Sequence, residues 1–375
     1  MKIEMVDLKG QYVKIQDDID SSVLNVIREA KFINGPAVAE FTQSLSSYLG
    51  GALVIPCANG TDALQIAMMS LDLQPGDEVI VPAFTYVATA EVIGLLKLKP
   101  VIVDVDPQTF NMTRENIVQA ITSKTKAIVP VHLFGQCADM EPIMELADKH
   151  GLFVIEDTAQ AIGADYTFTN GTKKKAGTIG HIGCTSFFPS KNLGCYGDGG
   201  AIYTNDEALA ERIRMIANHG QVKKYVHKYI GVNSRLDTLQ AAILNVKLKY
   251  LDHFSSTRSN AADLYDYLLA EVEGIITPFR SRKSSHVFHQ YTLRVADNKR
   301  DSLKTYLESF GIPTMIYYPV PLNEQEAFHN ICAVIGSLSV TMDLCNSVLS
   351  LPMHTELSEK QQVFIASKIK KYFNK

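Results

Sequence analysis

The sequence predicts an α/β protein: a mainly parallel sheet flanked by helices, followed by a smaller C-terminal α/β part. Three observations lead there. From about residue 50, short apolar runs alternate with segments of helical period. Parallel neighbours need a crossover, usually a helix, between each pair of strands, so this rhythm is that of βαβ units. The chain has 375 residues, more than a single core comfortably holds, and beyond residue 250 the pattern turns to strand, helix, strand, helix.

The runs 52–57, 78–81, 100–105, 127–133 and 152–156 are continuously apolar rather than alternating, as strands covered on both faces are. Between them, 61–71, 86–96, 113–120 and 140–150 read as helices. After Ala164 the text changes. Residues 165–168 lead into Asn170-Gly171, a hairpin-turn pair. The stretch 186–200 is crowded with glycines and aromatics and scans as a loop that approaches something closely. Helices follow over 206–218 and 237–251, the second long enough to link two domains. Beyond lie a strand (288–295), a helix (302–310), a strand (314–318) and a last helix (358–373). A large domain over 1–250 and a small one over 251–375 are expected. In open parallel sheets, ligands gather at the carboxyl ends of the strands.

Bulk properties narrow the function classes. A net charge of −4 supplies no basic footprint for nucleic acid or anionic membrane. The six cysteines include no C-x-x-C pair, and no Cys/His cluster has zinc spacing, so no metal is expected. The N-terminus lacks the apolar core of a signal peptide, and no apolar run nears the ~20 residues of a membrane span. A reducing cytoplasm is the expected location.

Three segments carry chemistry when taken together. In Ala58-Asn59-Gly60-Thr61-Asp62 a strand ends, a glycine turns and a helix begins, so free N–H groups and the helix dipole would face a phosphate. In Val154-Ile155-Glu156-Asp157 two acids end a buried strand, where a carboxylate needs a cation or several donors. A protonated pyridine nitrogen would be such a cation, and Gln160 lies three positions on. In the Thr185 to Gly200 segment, Lys191 stands among aromatics and glycines. Desolvation there would favour its neutral, nucleophilic amine, with Ser186 as a hydroxyl for phosphate. Each segment alone has a plainer reading: a capped helix, an N-cap aspartate, a surface lysine. A phosphate turn, a strand-end acid and a lysine loop are together the minimum of a pyridoxal-phosphate (PLP) site.

With these residues on view, the chain resembles the DegT/DnrJ/EryC1/StrS family of nucleotide-sugar aminotransferases, which have the aspartate aminotransferase (type I) PLP fold. The likeness runs from Val6-Asp7-Leu8-Lys9 through Ile33-Asn34-Gly35-Pro36 to Leu351-Pro352-Met353-His354. The Lys191 loop, Gly231 to Asp237 and Tyr318-Pro319-Val320-Pro321-Leu322-Asn323 resemble the branch acting on UDP-linked 3-keto-uronates. The resemblance implies that Lys191 carries PLP and acts as catalyst, that Asp157 pairs with the pyridine nitrogen and that Gln160 contacts the ring hydroxyl. It implies phosphate binding by Gly60, Thr61 and Ser186, and stacking by Tyr86. Asn233 would reach the phosphate of a neighbouring subunit, making the unit a homodimer. Arg235, Tyr317 and Tyr318 are candidates for the sugar and its carboxylate. Substrates would be a nucleotide-sugar and L-glutamate. Many family members have His where Asn323 stands, which sets sugar contacts apart from other branches.

Other features have plainer expectations. Asp104-Val105-Asp106 resembles a metal-binding D-x-D but reads as a solvated turn. His132 is expected to be a satisfied core residue, His286 and His289 to pack, and Lys173-Lys174-Lys175 to rim a hairpin. The alternative is a 3- or 4-aminotransferase of a dTDP-, UDP- or GDP-linked keto-6-deoxy sugar; further rivals are a PLP sugar dehydratase, whose relatives replace the lysine by His, and a DNA-binding regulator, for which no basic recognition helix is found.

Overall fold

The computed structural model describes residues 2–374. Three helices precede the first strand: α1 (Leu8–Lys14), α2 (Gln16–Glu29) and α3 (Pro36–Tyr48). The βαβ series then runs as expected, with ends shifted by one to a few residues. It comprises β1 (Leu53–Cys57), α4 (Gly60–Met69), β2 (Glu78–Pro82), α5 (Ala88–Leu95), β3 (Lys99–Val103), α6 (Arg114–Ala120), β4 (Thr125–Ile128), α7 (Met140–His150) and β5 (Phe153–Asp157). The run 127–133 stays in strand only to Ile128, with a further bridge from Val131 to Asp157, and then tightens into a short turn of 3-10 helix. Pro130, which has no N–H to give a ladder, lies between.

The Asn170-Gly171 turn joins β6 (Asp165–Thr167) to β7 (Lys173–Lys175), paired antiparallel, with Gly171 at φ 85°. On that rim Lys175 pairs with Asp165 at 3.0 Å. β8 (Ile182–Ser186) and β9 (Gly200–Thr204) bracket the lysine loop. α8 (Glu207–Ala217), a small exposed hairpin of β10 (Gln221–Lys223) and β11 (Val226–His227), and α9 (Thr238–Leu248) follow. The single helix expected over 237–251 is two: the chain turns at Lys249 and Tyr250 through i+3 hydrogen bonds and continues as α10 (Leu251–Leu269).

The last third holds β12 (Ile275–Ile276), β13 (Tyr291–Val295), α11 (Arg300–Glu308), β14 (Ala333–Val334), α12 (Ser339–Ser347), β15 (Val348–Leu351) and α13 (Glu359–Phe373). Residues 314–318, expected as a strand, make only one bridge, Met315 to Ser350. Pro313 and Pro319 close the run on both sides and deny it a ladder. The strand beside β13 is β15 instead.

The main sheet has the order β1-β9-β8-β5-β4-β2-β3-β14. Only β9 runs against its neighbours; the other pairings are parallel. β1, β2, β5 and β8 therefore end on one edge, at Cys57, Pro82, Asp157 and Ser186. A separate antiparallel sheet, β12-β13-β15, packs its Leu293 and Leu349 with Tyr265 of α10, Leu303 of α11 and Ile365 of α13.

Asp104 corrects one expectation. It is buried rather than solvated, and its carboxylate accepts from the N–H groups of Val340 (3.0 Å) and Thr341 (2.8 Å) and from the Thr341 hydroxyl (2.7 Å). It caps α12 from another part of the chain, since the N-cap position, Leu338, has no side-chain acceptor. Asp106 does form a turn, accepting from Gln108 and Thr109 N–H. Among the described residues, no helix is long and apolar enough to cross a membrane.

Candidate active site

The carboxyl-end edge of the sheet collects most of the residues singled out from the sequence. Asn59 caps α4, its side chain accepting from Asp62 N–H at 2.8 Å, as the turn sequence predicts. The first turn of that helix lies against the end of β8. A Cβ placed on Gly60 would stand 2.7 Å from the Ser186 Cβ, and one on Gly200 would stand 2.4 Å from the Asn59 carbonyl. Both glycines thus let backbones meet where a side chain would not fit. Thr61, the next helical residue, is half-buried.

The two acids ending β5 have divided their tasks. Glu156 is fully buried and spent on structure: it accepts from Gly177 N–H (2.8 Å), Ile179 N–H (2.8 Å) and Gly180 N–H (2.5 Å), and from His132 at 2.8 Å. His132 Nδ1 accepts from Ala138 N–H at 3.1 Å, so its Nε2 carries the hydrogen toward Glu156. His132 is therefore the satisfied core residue expected.

Asp157 has fewer partners. It accepts from the Thr89 hydroxyl at 2.9 Å and from Ala159 N–H at 3.1 Å. Burial raises its pKa above the usual carboxylate range, while those donors and the charge of Lys191 pull the other way. Lys191 answers it. The residue is half-buried, and burial brings its pKa down to about 8 against the Asp157 charge. An ammonium poised to release its proton near neutrality, beside a buried carboxylate, is a nucleophile and a base in one group.

Gln160 is fixed at both ends of its amide. Its Oε1 accepts from Phe134 N–H at 2.9 Å and its Nε2 donates to the Tyr318 hydroxyl at 3.0 Å. The Tyr318 ring lies 6.3 Å from that of Tyr86 and 6.0 Å from that of Tyr317. Tyr86 itself is 57% exposed, a ring face open over the strand ends. Asn233 is exposed and Arg235 half-buried. The structure thus gathers Gly60, Tyr86, Asp157, Gln160, Ser186, Lys191, Tyr317 and Tyr318, while Asn233 and Arg235 flank Ser234, whose hydroxyl accepts from Ala58 N–H at 3.0 Å at the start of the Gly60 turn. Thr89 is the residue that sequence reasoning missed. Its position, one helical turn after Tyr86 in the same segment, was the available signal.

A family model described as the DegT/DnrJ/EryC1/StrS aminotransferase family matches residues 13–370. A Pseudomonas aeruginosa protein, "UDP-2-acetamido-2-deoxy-3-oxo-D-glucuronate aminotransferase", is 50% identical over 95% of this chain and 96% of its own. A "Pleiotropic regulatory protein" of Geobacillus stearothermophilus is 46% identical over 100% of this chain and 99% of its own. Among solved structures, a DegT DnrJ EryC1 StrS aminotransferase from Brucella abortus superposes with a TM-score of 0.94 at 41% identity, covering 100% of both chains. Bacillus subtilis ntda, solved "with bound cofactor pmp", superposes at 0.88 with 34% identity, covering 96% of this chain and 82% of its own. The aspartate aminotransferase-like fold agrees with these likenesses, and the chain belongs to the DegT/DnrJ/EryC1/StrS aminotransferase family.

Proposed function

We propose that the protein is a PLP-dependent transaminase that moves an amino group from L-glutamate to UDP-2-acetamido-2-deoxy-3-oxo-glucuronate. The product would be the 3-amino sugar of a surface polysaccharide. The observation that carries the chemistry is the half-buried Lys191, its pKa lowered to about 8, within electrostatic reach of the buried Asp157 carboxylate at the end of β5. The choice of sugar rests on the Pseudomonas relative and its printed substrate.

The residues present fit PLP. The close approach of Gly60 to Ser186 leaves backbone N–H groups and a hydroxyl at a helix start, the donor set a phosphate takes. Asp157, buried with two donors and a raised pKa, suits a pyridinium proton. When bound, PLP supplies an aldehyde for amines and a ring that draws electrons from the adjoining carbon. The chain's residues would do the rest. Lys191 would hold the cofactor through its amine and, once displaced by the amino donor, would move the proton from the donor's α-carbon to the carbon that had been the cofactor's aldehyde, and in the opposite direction when the keto-sugar receives the amino group. Asp157 would keep the ring nitrogen protonated, and Thr89 and Ala159 would hold Asp157 in place. Gly60, Thr61 and Ser186 would bind phosphate, Tyr86 would cover a ring face, and Gln160 would meet the ring hydroxyl. Arg235, Tyr317 and Tyr318 would receive the sugar and its carboxylate.

The same reading includes a cytoplasmic homodimer in which Asn233 completes the neighbour's phosphate site, and a division into a cofactor-binding part (1–250) and a smaller part (251–375). The presence of Lys191 disfavours a dehydratase. A regulator is the reading attached to the Geobacillus relative's name. One experiment separates these. Purified protein is expected to show a visible cofactor band that glutamate shifts, and to aminate a 3-keto uronate within a panel of nucleotide keto-sugars read by mass spectrometry. In a Lys191→Ala protein both band and turnover should vanish. A colourless protein that binds DNA would defeat the enzyme reading. Turnover of a 4-keto-6-deoxy sugar alone would defeat the choice of substrate.

A further inference from the structure

Arg258 of α10 is a cation inside the protein, 3% exposed, with carbonyls as its partners. Its Nη1 donates to the carbonyl oxygens of Met353 (3.0 Å), Phe288 (3.1 Å) and His289 (3.4 Å). Burial lowers its pKa to about 10, so the fold bears a cost to keep it there. Gripping those carbonyls is the work its geometry allows.

The gripped segment, 286–290, is where two parts of the site rest. Asn192, the residue after Lys191 and 3% exposed, donates from Nδ2 to the Val287 carbonyl at 2.8 Å. On the other side, Val287 N–H donates to the Gly135 carbonyl at 2.9 Å and Gln290 N–H to the Phe134 carbonyl at 3.4 Å. Phe134 N–H in turn donates to Gln160 Oε1 at 2.9 Å. A Cβ on Gly135 would lie 2.8 Å from Phe288 N and 3.0 Å from His289 N, so the segment has no slack against that turn. His289 is 6% exposed and is held neutral by burial first and then by the charges of Lys191 and Arg258, which places it within electrostatic reach of both.

We propose that Arg258 is a positioning residue: through the carbonyls of Phe288 and His289 it fixes the one segment that supports both Asn192, and hence Lys191, and Phe134, and hence Gln160. The proposal rests on the reading of Lys191 and Gln160 as cofactor-contacting residues given above. Arg258 touches no reacting atom; it sets where the amine and the amide stand relative to each other.

The test compares full-length, PLP-loaded wild type with Asn192→Ala, Arg258→Met and Arg258→Lys. The measurements are the induced circular dichroism of the cofactor band, kcat and KM, and Tm. Asn192→Ala and Arg258→Met should keep the band, lose roughly half of its dichroism and about tenfold in kcat, with KM for the nucleotide-sugar within about twofold. Arg258→Lys should recover part of both, because an ammonium can still donate to a carbonyl. If Arg258→Met does not fold, Asn192→Ala decides. Variants with wild-type dichroism and kcat, or with losses no greater than a lowered Tm explains, would overturn the proposal while leaving the site reading intact. A wild-type protein that takes up no PLP would overturn both.

Discussion

At the scale of single residues, Lys191 sits between two opposed influences. Burial lowers its pKa to about 8, and the Asp157 charge acts in the opposite sense. The neutral amine, the form that attacks an aldehyde, therefore grows as pH rises toward 8 and saturates above it. The rate at which cofactor-free protein captures PLP should follow that curve. Asp157→Asn removes the raising influence, so the variant's midpoint should fall below that of wild type; comparing the two cancels the ionisation of PLP itself. Coincident midpoints would mean that the carboxylate does not reach the amine. The residues legible before the structure were those whose type is odd for their surroundings: a lysine among aromatics and glycines, and acids ending an apolar run. Thr89, Asn192 and Arg258 are ordinary where they stand. Their roles arise from contacts 68, 95 and 30 residues away, to Asp157, Val287 and Phe288. No local pattern encodes such a meeting.

Elements were legible in proportion to how uniformly they are buried. β2, β3 and β5 are almost wholly covered, and their unbroken apolar runs announce them. The helices before residue 50 and α10 carry many polar residues and owe their stability to the faces they pack, which periodicity alone states weakly. α12 is a case where the missing information lies in another element. Its N-cap residue, Leu338, offers no side-chain acceptor, Ser337 takes only the Ser339 N–H, and the helix borrows Asp104 from just past β3, 236 and 237 residues away. Read in sequence, Asp104 belongs to a D-x-D triplet; read in space, it terminates a helix. Asp104→Ala would leave three backbone N–H groups, those of Val105, Val340 and Thr341, and the Thr341 hydroxyl without their acceptor in a buried place. Urea denaturation should register a loss of about 2–4 kcal/mol. Added divalent cations should change neither wild type nor variant. A loss below ~0.5 kcal/mol would mean that water serves those donors equally well.

For the molecule as a whole, the arrangement of the sheet explains why the gathered site is one-sided. The parallel strands end on one edge, and three of them, β1, β5 and β8, bring the turn at Gly60, Asp157 and Ser186 together, with Lys191 on the loop that follows β8. Tyr86 is exposed, and so is the Asn233 side chain, next to Ser234, which holds Ala58 N–H at the start of the Gly60 turn. If Asn233 serves the phosphate of a second copy, a mixed dimer should repair what two defective parents cannot. Lys191→Ala and Asn233→Ala homodimers would each be impaired at both sites. In the mixed dimer, one site would draw the intact Lys191 from one chain and the intact Asn233 from the other, and its twin would carry both defects. Random reassortment makes about half of the dimers mixed, so activity should return to about a quarter of the wild-type value. Were Asn233 to act within its own chain, every site in the mixture would keep one defect and nothing would be regained. The outcome is read as turnover after the two proteins are dissociated and reassembled together, against each reassembled alone. Recovery above the parents assigns the site to two chains, and its absence confines the site to one.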